Sequence, residues 1–176
     1  MRNINDSEME KIVKKLAIFI GDNIKSFLNE RILLLNNMRV FLTTEELRKK
    51  SSQIKKKQLI SIGTVLGKFT KTGHFKITIT GMQELSKYGL HKVWLQENGE
   101  NNFLYGNNAL KNHIHKISDN IPINGGVFVY NKNNTLLGFG LMAVNQHSYQ
   151  KARSGDIIVL CQADNGEYIR NEIGIC

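Results

Sequence analysis

The sequence predicts an α+β fold in two parts: an N-terminal α/β domain with an antiparallel sheet over residues 1–92, then a small C-terminal β-barrel over residues 93–176. Three observations predict it. Residues 7–92 alternate between helical and strand periodicity. From Val93 onward the pattern changes to short apolar runs separated by Gly/Asn turns, the spacing of a small barrel. Charge divides at the same place: residues 1–92 carry 18 basic and 8 acidic side chains, whereas residues 93–176 carry 6 and 7. A basic half joined to a near-neutral half implies two units and an acidic partner for the first, with a solvated face as the alternative.

The elements follow in order. Residues 7–28 read as a helix, opened by a Ser7/Glu10 capping box and carried by Val13, Leu16, Ile20, Ile24 and Phe27 at helical spacing. Arg31-Ile-Leu-Leu-Leu35 and Met38-Arg-Val-Phe-Leu-Thr43 read as two strands of a hairpin, turned at Asn36-Asn37. A second capping box, Thr43/Glu46, starts a short helix over residues 45–54. Phe75, Ile77 and Ile79 alternate with Lys76, Thr78 and Thr80, a half-buried strand entered through a turn at residues 68–73. One or two helical turns over residues 82–88 end at Gly89. In the second half, Val93-Trp94-Leu95, residues 127–130, 136–144 and 157–160 are strand candidates, and residues 109–117 a short helix.

Composition bounds the function. No apolar run approaches the roughly 18 residues of a membrane span, and Met1-Arg2-Asn3-Ile4-Asn5-Asp6 is no secretory signal, so no membrane partner is expected. Cys161 and Cys176 make no disulfide framework. The tract Gly63-Thr-Val-Leu-Gly67-Lys68-Phe69-Thr70 imitates a phosphate loop, but it has three residues between its glycines instead of four, and Phe69 stands where the magnesium-binding hydroxyl belongs. Nucleotide hydrolysis is not expected. His113 and His115 lack the additional ligands of a zinc site, so no metal and no cofactor is expected. No nucleophile or carboxylate pair stands out, and Asp156 and Asp164 look like turn residues. The expectation is therefore a protein without a catalytic site.

The basic tract carries more. Arg48-Lys49-Lys50 and Lys55-Lys56-Lys57 bracket residues 51–54, and Lys68, Lys71 and Lys76 follow. Like charges this dense repel one another unless a polyanion compensates them. Lys55, Lys56, Lys57, Lys68 and Lys71 are the candidate RNA contacts of the first half. In the second half the candidates are Lys111, His113, His115 and Lys116, expected on the short helix, and Arg170, expected on the last strand.

The stretch Ser61-Ile-Gly-Thr-Val-Leu-Gly-Lys-Phe-Thr-Lys-Thr72 resembles a signature of the Nip-seven family of eukaryotic large-subunit ribosome biogenesis factors. The resemblance continues, in order, through Lys92-Val-Trp94, Phe103-Leu-Tyr-Gly-Asn107, Leu137-Gly-Phe-Gly140 and Ala163-Asp-Asn-Gly-Glu-Tyr-Ile-Arg170. It implies that the C-terminal barrel is a PUA-type β-barrel that binds RNA. It further implies a non-catalytic nuclear and nucleolar protein, required for processing of large-subunit precursor rRNA. The implied partners are that RNA, the pre-60S particle and nucleolar assembly factors including an rRNA methyltransferase, the chain alone being monomeric. Two departures accompany the resemblance. His113 and His115 stand near positions where such proteins tend to carry glycine, and Arg170 is nearly alone where archaeal relatives cluster basic residues. An RNA-modifying enzyme that has kept a PUA domain and a pure protein–protein adaptor are the alternative readings.

Overall fold

The computed structural model describes residues 1–55 and 58–170. It divides into two units, Met1–Ala17 with Gly21–Met82, and Ile18–Ile20 with the chain from Gln83 onward. In the first unit, β1 (Arg2–Asn3), β2 (Arg31–Asn36), β3 (Arg39–Thr44), β4 (Thr64–Phe69) and β5 (Phe75–Ile77) form an all-antiparallel sheet in chain order. The hairpin between β2 and β3 turns on Asn37 and Met38, whose φ of 46° and 65° give the left-handed pair that matches strand twist in a two-residue turn. Leu33, Leu34 and Leu35 are all buried, so both faces of β2 are covered. Leu34, Phe41 and Ile62 form a small cluster on one of them.

The helices of this unit are α1 (Asp6–Ile20), α2 (Ile24–Leu28), α3 (Glu45–Ser51) and α4 (Ile79–Ser86). The expected long first helix is broken at Gly21, whose φ of 50° and ψ of −131° suit only glycine. Its cap lies two residues earlier than expected: Asn5 Oδ1 accepts from Glu8 N at 2.8 Å and Glu8 Oε2 accepts from Asn5 N at 3.1 Å. Asn caps as well as Ser, and Arg2 adds charge-assisted bonds to the Glu8 carboxylate, at 2.9 and 2.5 Å, that Glu10 does not receive. At α3 the cap is Thr44, which accepts from Leu47 N at 3.4 Å, because Thr43 is buried in the strand.

The strand expected to run to Thr80 stops at Ile77. Thr78 and Thr80 both donate their hydroxyls to the Val65 carbonyl, at 3.0 and 2.6 Å, and turn the chain into α4. Ile79, Met82 and Leu85 are then buried at three-residue spacing, so Ile79 belongs to a helical face rather than to the alternation. Lys68 and Phe69 lie in β4, and the turn is confined to residues 70–73. The tract that imitates a phosphate loop is therefore a strand, with Gly67 paired to Val40 and Ile77.

In the second unit, β6 (His91–Leu95), β7 (Ala109–Leu110), β8 (Ile114–Ile117), β9 (Gly126–Tyr130), β10 (Leu136–Met142) and β11 (Ile157–Asp164) form one curled sheet in the order β7-β11-β10-β9-β6-β8. Only the β6–β9 pair is parallel. Val93 with Leu95 and Val127 with Val129 fill the interior as strand alternation requires, and the consecutive Ile158 and Val159 of β11 are both buried as well. Phe19 stacks edge-on against Phe139, with ring centroids 5.4 Å apart.

Three helices occur here that periodicity does not reveal: α5 (Glu97–Leu104), α6 (Gln146–Lys151) and α7 (Glu167–Arg170). In α5 only Gly99 and Phe103 are buried, too few for a stripe. Conversely, the helix expected over residues 109–117 is β7, a 3-10 turn over Lys111–His113, and β8. Strand pairing wins there: Ala109 sits opposite Val159 and Ile117 opposite Val93, each burying apolar surface on a sheet face.

Candidate nucleic-acid interface

Register builds the basic surface of the first unit. Arg39 on β3 lies directly opposite Lys68 on β4, and Lys68 directly opposite Lys76 on β5. Residues directly opposite share a sheet face, so three cations stand abreast across three strands. Lys68 and Lys76 are exposed, and none of the three has an ion pair among the described residues. Like charges in this arrangement repel. The consequence reaches α1, where burial first and the Lys76 charge second hold the Lys15 amine below the usual lysine range. Lys71, in the 70–73 turn, lines an open cleft of about 660 Å³ together with Lys11, Asn36, Asn37 and Thr70. Arg2 and Glu8 line it too and pair with each other, so Lys11 and Lys71 are the cleft cations left to meet an anion beside its polar groups.

Among the other candidates of this half, Lys55 is exposed just beyond α3, where its carbonyl accepts from Gln58 N at 2.8 Å. Lys56 and Lys57 lie outside the described residues.

The second unit treats its candidates differently. Lys111 Nζ sits 3.1 Å from the Tyr149 ring centroid and donates to the Tyr149 carbonyl at 2.9 Å. His113, on the 3-10 turn rather than a helix, is buried, and its Nδ1 accepts from Leu110 N at 3.3 Å. A Cβ on Gly99 would come within 2.5 Å of His113 Cβ, so this histidine is packed under α5. His115 and Lys116 are exposed on β8. Arg170 is on α7 rather than on the last strand, because β11 ends at Asp164 and the chain turns at Asn165-Gly166. Its guanidinium donates to Asp164 Oδ2 at 2.8 Å and to the Leu104 carbonyl. Asp164 is buried and also accepts from Gly166 N at 2.8 Å. The Asp164 hydrogen bond raises the Arg170 pKa. Burial, then the carboxylates of Asp164 and Glu167, push the Cys161 thiol up to about 12, so it is no nucleophile at neutral pH.

Sequence reasoning alone passed over Arg39 and Lys15, and over the aromatic row of Trp94 and Tyr130, whose rings stack at 6.2 Å. Arg39 becomes visible only once register is known. Trp94 carries a signal of its own, as the chain's only tryptophan, placed where alternation points it away from the barrel interior.

Comparison with known proteins gives this surface its setting. The NIP7/UPF0113 pre-PUA domain model matches residues 1–79, and the UPF0113 PUA domain model matches residues 91–173. The chain is 38% identical over 176 residues to the 60S ribosome subunit biogenesis protein NIP7 of Saccharomyces cerevisiae, covering 98% of this chain and 97% of that one. The chain belongs to the NIP7 family. A NIP7 homolog of Xenopus tropicalis is also 38% identical, and one of Dictyostelium discoideum 34%, each with 98% of both chains covered. Among solved structures, a PUA domain from Aeropyrum pernix matches at TM-score 0.65 with 11% identity, covering 96% of this chain and 87% of that one. A hypothetical protein from Pyrococcus horikoshii matches at TM-score 0.61 with 13% identity, covering 94% and 95%. The fold of this NIP7-family chain is therefore an α+β unit followed by a PUA-type β-barrel, as the resemblance implies.

Proposed function

We propose that this chain is a non-catalytic assembly factor of the large ribosomal subunit that grips precursor rRNA by its phosphates through the first unit. The curated relatives are named 60S ribosome subunit biogenesis proteins, which supports the assembly role. The observation that carries the RNA reading is the Arg39–Lys68–Lys76 row. A row of like charges weakens an isolated sheet, and its physical use is to meet a polyanion that supplies the missing counter-charge. Lys11 and Lys71 extend that use, and Lys55, Lys56 and Lys57 join them in this reading. In this reading a phosphate-gripping first unit is followed by the PUA unit, and the expected boundary at residues 92/93 falls inside β6 (His91–Leu95), which pairs within the second sheet. The protein works in the nucleus and nucleolus, on the pre-60S particle and beside other assembly factors, an rRNA methyltransferase among them.

The test is Lys68→Glu in the full chain. It converts two repulsive cross-strand pairs into attractive ones, so the free protein should gain about 1 kcal/mol of stability in a urea melt. The same change should weaken RNA binding and reduce the slope of log affinity against log salt by at least about 0.7, the loss of one phosphate contact on a single strand. Greater stability with unchanged RNA affinity and slope would assign the row to a solvated face and return the adaptor reading. Turnover of an RNA base by the recombinant protein would return the enzyme reading.

A further inference from the structure

On the outer face of the PUA-type sheet, Lys116 on β8 lies opposite Trp94 on β6, and Trp94 lies opposite Tyr130 on β9. The three side chains stand abreast, with Val93, Leu95 and Val129 turned to the interior between them. The Trp94 and Tyr130 rings stack with planes 30° apart. Trp94 Nε1 donates to Asn134 Oδ1 of the β9–β10 hairpin at 2.7 Å, which fixes the indole and satisfies its one polar group. Lys116 Nζ stands 5.5 Å from the Trp94 ring centroid and Lys92 Nζ 5.5 Å from that of Tyr130. Both lysines are exposed, and neither has an ion pair among the described residues. The result is a half-buried aromatic pair, a ledge with a cation over each ring, so that a stacked base would take the place of a lysine ammonium and leave it to the adjoining phosphate.

We infer that this ledge is a stacking site for an unpaired base of single-stranded RNA, with Lys92 and Lys116 on the flanking phosphates. The chemistry selects that occupant. Bases stack on aromatic rings regardless of sequence, and the anionic backbone on either side of a stacked base needs cations at the two ends of the platform. A basic or neutral peptide would leave both lysines uncompensated. The inference rests on RNA being the partner, yet it assigns a second kind of contact, base stacking in the second unit, which is separable from phosphate contact along the first-unit row.

Trp94 is the sole tryptophan, so its emission reports on the site directly. The experiment titrates the full chain with a six-nucleotide oligoadenylate and with an abasic six-mer of equal charge, following Trp94 fluorescence and, with end-labelled strands, anisotropy. Saturable quenching by the oligoadenylate but not by the abasic strand is expected. Trp94→Ala, with its fold checked by circular dichroism, should weaken the oligoadenylate about tenfold, within the range for one stacked base. Lys116→Gln keeps both rings and should lower the salt slope by about 0.7. Equal quenching by the abasic strand, unchanged affinity in Trp94→Ala together with an unchanged slope in Lys116→Gln, or equal quenching by oligoglutamate overturns the inference, the last by making the ledge a surface for acidic protein. Binding that Lys68→Glu weakens while Trp94 emission stays constant overturns the ledge and leaves the row standing. Quenching that Lys68→Glu does not affect does the reverse.

Discussion

The two units handle positive charge in opposite ways. In the first, Arg39, Lys68 and Lys76 face one another across the sheet, and burial first, then the Lys76 charge, lower the Lys15 amine pKa. In the PUA unit Lys111 covers Tyr149, Arg170 clamps Asp164 and Lys132 lies 4.0 Å from Glu97, whereas Lys92 and Lys116 lie over aromatic rings but are exposed and have no ion pair among the described residues. The same side-chain chemistry therefore supports the fold where Arg2 pairs with Glu8, Lys50 with Glu46 and Arg170 with Asp164, and opposes it along the Arg39–Lys68–Lys76 row. Counting charges along the chain finds the difference in total, but only geometry says which cations are available to a partner. Arg170 and His113 look like RNA contacts in the sequence and are committed to packing in the structure, whereas Arg39 looks ordinary in the sequence and completes the row.

Substitutions can break this contrast. The largest effect belongs to Arg170→Ala, which leaves the buried Asp164 carboxylate with only the Gly166 N–H among its named partners. A loss of roughly 2 kcal/mol is expected in denaturant melts, below the range for a fully buried pair because the Arg170 side chain is 36% exposed and water screens it. The RNA salt slope, measured where the variant is fully folded, should not move; a flattened slope would put Arg170 back among the phosphate contacts. Next is Gly99→Ala. Its new Cβ would meet His113 Cβ at 2.5 Å, an overpacking cost of about 2 kcal/mol. Adding His113→Gly, which removes that Cβ, should recover part of the loss in a double-mutant cycle, and strict additivity would show that the two positions do not press on each other.

The smallest effect concerns Lys15. Its folded-state pKa is depressed, so the folded protein disfavours the ammonium form. Stability should therefore rise as pH climbs through the depressed value toward the unfolded lysine value, and the full penalty applies below that window. Burial is the larger cause and Lys76 the smaller, so Lys76→Gln should move the Lys15 resonance in an NMR titration upward without restoring it fully. An unchanged midpoint would mean that the two amines do not sense each other and would weaken the case for the row.

Much of the fold is legible in the sequence because local chemistry repeats what tertiary packing requires. The 31–44 hairpin has apolar strands around an Asn-rich turn, although the turn falls on Asn37 and Met38, one residue later than Asn36-Asn37, and the apolar runs at 127–130 and 136–142 flank Asn131, whose Oδ1 accepts from Thr135 N at 2.8 Å. Elements whose burial depends on distant partners are not legible. The 109–117 segment reads as a helix until β6 and β11 are available to pair with it, and α5 has too few buried residues to announce itself. The basic row depends on register. A pairing irregularity between Val40 and Phe41 interrupts the β3–β4 ladder, and a slip of one residue would send Lys68 to the opposite face. The lysines were visible as a list, and their alignment was not.

The row also ties the protein's persistence to its occupancy. A ligand that binds the folded state alone stabilises it in proportion to the logarithm of its concentration over its dissociation constant. Where three cations strain the sheet without a counter-charge, a bound polyanion supplies that stabilisation and relieves the repulsion as well. On the proposed RNA reading, molecules engaged with RNA open less often than idle ones, and a protease cleaves the idle form faster.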